Sequence, residues 1–360
     1  MITQINPRSL KVLVALSGGV DSAVAAALLK EAGYQVTGVF IKLADGTKNK
    51  EVNEITKRAQ ADALKITNHL KIPLLIWNFQ KDFKKIVINN FLSQWQKGLT
   101  PNPCIICNEK IKFGLFLERA LKNKADFVAT GHYARINIKM RQYYLMTAYD
   151  KNKDQSYFLY RLTQKQLKFL LFPLGGYLKT EVRLLAKQFK LPIFDKEESQ
   201  EICFAPLGLE NFLNQYFKIE PALIKDIKTK KVLGQISQIY RYTIGQKLPV
   251  GGQGPYYVKK KDLKNKIIWA TNNKTDLLIK RFLIKEVNFI NSAPWRSPLL
   301  VFVQTRYHQQ KHKALMKRNK KGIIVEFFQP QLNVTPGQSA VFYQGQTILG
   351  GGYISQILDK

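Results

Sequence analysis

Apolar positions in the first half of the chain come in short unbroken blocks. Val12-Leu13-Val14-Ala15-Leu16 is the first, and Ala23-Val24-Ala25-Ala26-Ala27-Leu28-Leu29 follows it after one turn. A brief apolar run bounded by turn residues predicts a strand buried on both faces, and a longer run rich in small residues predicts a buried helix. The rhythm continues with a strand at 35–43, a helix at 54–71, a strand at 74–77, a helix at 83–96 and a buried strand at 126–130 that ends at Gly131-His132. Thr180 is placed to cap one more helix, 181–189, which stops before Leu191-Pro192. This alternation predicts an α/β fold with a doubly wound parallel sheet, which binds ligands at the carboxyl ends of its strands.

Beyond residue 205 the pattern changes. Short β-branched or aromatic segments at 239–243, 255–258 and 267–270, then at 299–306, 323–328, 340–344 and 347–349, are separated by glycine or lysine turns. They predict a small central domain and a C-terminal β-barrel, with boundaries expected at 1–204, 205–275 and 276–360. Such barrels often serve nucleic-acid binding, although the fold alone does not establish that use.

Charge narrows the class of partner. The chain of 360 residues carries 57 Lys plus Arg against 25 Asp plus Glu, a formal charge of +32. That balance favours a polyanion, even if coding drift toward lysine, asparagine, isoleucine and phenylalanine supplies part of it. The densest cluster is Lys311, Lys313, Lys317, Arg318, Lys320 and Lys321, with no acidic residue between 311 and 321. It has too few large apolar residues for a membrane-binding helix, and the chain lacks an apolar run long enough to span a bilayer. The start leads straight into the first strand with no apolar signal core, so a cytoplasmic protein is expected. Three cysteines are too few to staple a secreted fold, which leaves each as a reactive group, a metal ligand or buried filler.

Between the first strand and the first helix lies Ser17-Gly18-Gly19-Val20-Asp21-Ser22. Adjacent glycines let the backbone approach an anion closely, and the first amides of the helix point their partial positive charge at it. Ser17 and Ser22 add hydroxyl donors, and Asp21 can hold a hydrated magnesium ion against phosphates. Capping a helix needs only one such residue. No GxxxxGK[ST] occurs, so the lysine of the mononucleotide-binding loop is absent. The loop resembles instead the pyrophosphate-binding loop of the N-type ATP pyrophosphatases, which implies cleavage of ATP between its α and β phosphates and adenylation of an oxygen.

The cysteine motifs extend the resemblance over almost the whole chain. Thr100-Pro101-Asn102-Pro103-Cys104-Ile105-Ile106-Cys107-Asn108 and Glu198-Ser199-Gln200-Glu201-Ile202-Cys203-Phe204 are accompanied, in order, by Ala129-Thr130-Gly131-His132-Tyr133, Lys153-Asp154-Gln155-Ser156-Tyr157, Phe172-Pro173-Leu174, Tyr242-Thr243-Ile244-Gly245-Gln246 and Thr335-Pro336-Gly337-Gln338. Together they resemble the tRNA-specific 2-thiouridylases. The resemblance implies a sulfurtransferase that uses ATP and Mg2+ to replace the 2-carbonyl oxygen of the wobble uridine by sulfur in glutamate, glutamine and lysine tRNAs. Cys203 would carry a persulfide received from a cysteine desulfurase or a sulfur-relay protein. Cys107 would attack it, releasing sulfide within the site or passing sulfur to the base, with a Cys107–Cys203 disulfide as product.

By the same resemblance, Ala15, Leu16, Ser17, Gly18, Gly19, Val20, Asp21, Ser22, Ile41 and Gly131 would contact ATP. Asn102, Pro103 and Cys104 would meet the target base, and His132, Lys153, Asp154, Gln155, Arg306, Tyr307 and Gln338 would contact tRNA. Each keeps a plain structural reading beside it: a rigid proline turn for 101–103, a strand-end cap for His132, a core position for Ile41. Cys104 stands where many members carry an aspartate proposed to transfer a proton, and a thiol is a poor substitute for a carboxylate. Glu201 stands where glycine is common, and 44–55 matches weakly. Cys104-x-x-Cys107 with Cys203 also offers three thiolates, enough for an iron–sulfur cluster with one open iron or for zinc with a histidine. Another adenylating enzyme of the superfamily, such as a lysidine synthetase or an amide-forming ligase, would not need the cysteine pair. A non-catalytic RNA-binding protein would not need the intact loop.

Overall fold

A computed structural model describes residues 7–43, 50–197, 202–251, 254–291 and 295–359. Five parallel strands form the first sheet, in the order Leu74–Asn78, Gln35–Lys42, Lys11–Leu16, Phe127–Ala129, Leu170–Leu171. The chain moves outward from Lys11–Leu16 in one direction and then crosses over to resume on its other side with Phe127–Ala129. That reversal makes a topological switch point, and a crevice opens there at the carboxyl ends of the two strands, beyond Leu16 and Ala129. The helix Val20–Glu31 is buried around most of its girth, which its run of alanines permits.

The helix expected at 54–71 begins earlier and runs Lys50–Leu70. The one expected at 83–96 starts at Gln80, and its Lys84–Ile88 turn is π-wound. A helical run from Pro103 through Cys107–Leu115, also π-wound, to Lys122 was not foreseen at all. Thr180 does not cap its helix. The helix is Lys179–Gln188 with Leu178 at the N-cap, whose amide donates to the Glu181 carboxylate at 2.6 Å, so Thr180 lies inside the first turn. At 239–243 a 3-10 turn, Ile239–Arg241, replaces the expected strand. Tertiary contacts outweigh β-propensity there: Trp95 Nε1 donates to the Tyr240 carbonyl at 3.1 Å, and the Tyr240 ring stacks on Phe217.

Four strands between Ala222 and Thr271 make the central sheet. The C-terminal six, from Ile279–Phe289 to Thr347–Ile357, close into a barrel because the first pairs with the last. A hairpin of the first region, Arg135–Lys139 and Gln142–Met146, extends the barrel sheet where Met146 meets Thr347. The two regions also share a core in which Tyr157, Tyr160, Val341 and Tyr343 are buried together. Tyr157 donates to the Ser339 carbonyl at 2.9 Å, and Tyr160 and Ser339 share a hydroxyl–hydroxyl bond of 3.0 Å. Among the described residues, no helix is long and apolar enough to cross a membrane.

Candidate active site

A cavity of about 270 Å3 occupies the switch-point crevice. Ala15, Leu16, Ser17, Asp21, Ser22, Ile41 and Gly131 line it, while Gly18 and Gly19 form the turn and Val20 opens the helix. Ile41 also packs against the core, which is its plain structural reading. The loop is tied to itself: the Ser17 amide donates to Ser22 Oγ at 3.2 Å, and Ser22 Oγ donates to the Gly19 carbonyl at 3.0 Å. Gly19 takes the N-cap position with no side-chain cap, so the helix amides are not sealed by Asp21 or Ser22. Two glycines are sterically required. Gly18 has φ +75°, and a Cβ there would stand 2.4 Å from the Ala59 carbonyl oxygen; one on Gly131 would stand 2.8 Å from the Ser22 amide nitrogen.

Asp21 has protein partners. The Tyr133 hydroxyl donates to its Oδ1 at 2.9 Å and Lys179 Nζ at 2.7 Å, so a cation bound there shares the carboxylate with an ammonium. Lys196 reaches the same loop, donating to the Gly18 carbonyl at 3.0 Å and to Asp62 at 2.7 Å. Sequence reading missed both lysines. Each lies more than 150 residues downstream of its loop partner and carries no motif that announces the contact.

Two of the three thiols, Cys104 and Cys107, lie on the helical run that starts at Pro103. Asn102 is its N-cap, accepting from the Cys104 amide at 3.1 Å, and Pro103 fills the first turn, where a missing amide costs nothing. Cys104 is half-buried, Cys107 buried and Cys203 solvent-exposed at its surface, all three unpaired. Burial pushes the Cys107 thiol up to about 11 and also raises Cys104, with the Lys112 charge opposing both. Cys203 is raised by the atoms crowding its inner side and then by the nearness of Cys107 and Cys104, so the three thiols share one electrostatic neighbourhood. They do not stand as a metal-holding group: among the described residues, no three Cys, His, Asp or Glu side chains do. The iron–sulfur or zinc alternative thus finds no ligand group among the described residues. Glu201 and most of its motif lie outside the described residues.

His132 lines the cavity as a buried group, with Nδ1 2.7 Å from the Thr130 hydroxyl and its ring against Phe113 and Phe172. Burial, reinforced by Lys112, holds its pKa well below the ordinary value, so it is neutral at physiological pH. Gln155 also lines the cavity and accepts from the Tyr133 amide at 3.0 Å. Asp154 accepts from the amides of Ala148 and Ser156, an internal turn, and faces a second cavity of about 880 Å3 between the hairpin and the barrel. Tyr307, on the barrel side of that cavity, packs on Phe158 with ring centroids 4.4 Å apart. Lys153 is half-exposed and Arg306 exposed. Gln338 is not at a free surface: its Nε2 donates to the Thr100 carbonyl at 2.7 Å, while the Thr100 amide donates to Pro336. The two Thr-Pro motifs thereby fasten the loop before Asn102 to the barrel.

Residues 10–206 match the tRNA methyl transferase HUP domain family, 210–272 the tRNA methyl transferase PRC-barrel domain family and 279–354 the aminomethyltransferase beta-barrel domain family. The chain is 41% identical to a tRNA-specific 2-thiouridylase MnmA of Caldicellulosiruptor saccharolyticus, covering 97% of this chain and 99% of that one. It is 40% identical to the protein of the same name from Syntrophomonas wolfei, over 96% of this chain and all of that one. A Listeria innocua relative, again so named, is 37% identical over 99% and 97% of the two chains.

Proposed function

The chain belongs to the tRNA-specific 2-thiouridylase family, and on that premise we propose that it is a sulfurtransferase acting on the wobble uridine of glutamate, glutamine and lysine tRNAs. The uracil O2 attacks the α-phosphorus of ATP, the bond to the β-phosphate oxygen breaks and pyrophosphate leaves. The open amides that begin the helix at Val20, with the Ser17 hydroxyl beside them, receive that pyrophosphate. Asp21 is the residue that would hold magnesium, and when bound such an ion offsets phosphate charge. Adenylation turns a poor leaving group into AMP.

Sulfur enters through Cys203, loaded as a persulfide by a cysteine desulfurase or a sulfur-relay protein. Its outer sulfur attacks C2 of the base. The Cys107 thiolate then attacks Cys203 Sγ, the S–S bond breaks, sulfur remains on the base, and O2 departs with AMP. A Cys107–Cys203 disulfide forms, which an external dithiol reduces. If the same attack frees sulfide first, sulfide adds to C2 and the disulfide is identical.

One observation carries this reading: the loop that suits pyrophosphate and the helix that bears Cys107 border a single cavity, Lys112 of that helix lining it beside Ser17 and Asp21. The charge of +32 suits the polyanionic substrate. The test is an assay with unmodified glutamate tRNA, MgATP, cysteine and a cysteine desulfurase, thiolated tRNA being resolved on a mercury gel. Thiolation with one AMP per sulfur supports the reading. AMP formation with no thiolated tRNA, even with sulfide supplied, contradicts it.

A further inference from the structure

Lys112 lines the cavity, and two further lysines that reach its phosphate loop are already committed. Lys179 is paired with Asp21, and Lys196 with Asp62 and the Gly18 carbonyl. Lys112 lines the cavity, is half-buried, and has no ion pair among the described residues. The carboxylate closest to it on its own helix, Glu109, is taken by Arg161 and Lys110. A lone ammonium in a partly closed cavity is costly unless an anion joins it there.

The local winding sets where this charge falls. Cys107 and Lys112 open and occupy the same π-wound segment, Cys107–Leu115. On an α-helix, residues five apart point about 140° away from each other. Hydrogen bonds from i to i+5 bring them back toward one side, and π-turns recur at functional sites for such reasons. The Lys112 charge acts on Cys104, Cys107, Cys203 and His132 together, favouring thiolate at each cysteine and neutrality at the histidine.

We propose that Lys112 is a further catalytic cation of this site, contacting the α-phosphate of ATP and of the adenylated base, and stabilising the Cys107 thiolate as it attacks Cys203. Both roles rest on the thiolation reading above, and the effect on the Cys107 thiol itself rests on the shared π-wound segment and on Lys112 lining the cavity. It also supplies what the loop lacks, since the mononucleotide-binding lysine has no counterpart in the Ser17–Ser22 sequence. As the base is adenylated, pyrophosphate departs and the remaining negative charge is on the α-phosphate. One cation then serves both that phosphate and the incoming thiolate without moving across the cavity.

Two readouts test it. In a Cys104→Ser, Cys203→Ser background Cys107 is the sole cysteine, and its reaction with methyl methanethiosulfonate at pH 8 needs neither tRNA nor ATP. Lys112→Met is expected to slow that reaction roughly tenfold, one pK unit of lost thiolate, while Lys112→Arg stays within about twofold. In the otherwise wild-type chain, Lys112→Met is expected to lower single-turnover thiolation roughly a hundredfold, with Lys112→Arg recovering much of it. Unchanged Cys107 reactivity in Lys112→Met overturns the thiolate role, and unchanged thiolation overturns the phosphate role. If the wild-type chain itself fails to thiolate tRNA, the functional reading falls, and the Cys107 reactivity alone decides whether Lys112 acts on the thiol.

Discussion

The phosphate wall of the cavity and the group of thiols beyond its lining, here the sulfur wall, are built in opposite ways. The phosphate wall comes from consecutive residues, Ser17 to Ser22, that bond to one another and to the helix they open. The sulfur wall is assembled from distant segments, Cys107 on a π-wound helix and Cys203 near 96 positions later in sequence. The phosphate wall is arranged for its ligand beforehand, with open helix amides and glycines held where no side chain fits. The sulfur wall resists its own reactive form, because burial keeps Cys107 protonated. On the proposed mechanism, the difference teaches that adenylation is prepared by the fold, whereas sulfur transfer waits for a cation and for the partner sulfur to arrive.

The largest effect should split the walls. Cys107→Ser and Cys203→Ser are each expected to abolish thiolation, a loss of at least about a thousandfold, while pyrophosphate release in the first turnover continues near the wild-type rate. Equal loss of both signals in folded variants would mean that the walls do not act separately. Gly18→Ala should do the reverse and damage adenylation first. Its Cβ would meet the Ala59 carbonyl, and the backbone is left-handed there, so a roughly hundredfold fall in pyrophosphate release is expected, with thiolation falling in step.

How much of this was legible follows the same divide. The loop, its strand and its helix could be read directly because all their determinants are adjacent. The hairpin Arg135–Lys139 and Gln142–Met146 was missed because its turn is made by Met140 and Arg141, both at positive φ, where Asn-Gly would have announced it. Lys179 and Lys196 were missed since ion pairs across the fold leave no local pattern. The π-winding at Cys107–Leu115 is likewise set by packing, with Ile111 and Phe113 fully buried, and composition gives no sign of it. The motifs did place Gln338 and Thr100 in one family, but only the structure joins them by a hydrogen bond.

Two smaller effects sharpen the comparison. Cys107 reactivity should rise about tenfold per pH unit from neutrality and level off near 11, because its raised value leaves the thiol protonated until then. A plateau near pH 8 in the single-cysteine background would show an unburied thiol. Gln338→Ala should remove the bond to the Thr100 carbonyl, about 1 kcal/mol, loosening the Asn102 loop. The expected sign is a few-fold higher KM for tRNA with first-turnover pyrophosphate release unchanged; a change in kcat alone would place Gln338 elsewhere in the cycle.

The central claim is that the two distant thiols work as a pair beside the nucleotide loop. The most direct measurement is a single turnover of persulfide-loaded protein with tRNA and MgATP in the absence of reductant, followed by peptide mass spectrometry and a mercury gel on the same sample. The account predicts one Cys107–Cys203 disulfide for each thiolated tRNA. Thiolated tRNA formed while Cys107 remains a free thiol, or with the disulfide at Cys104 instead, would contradict it.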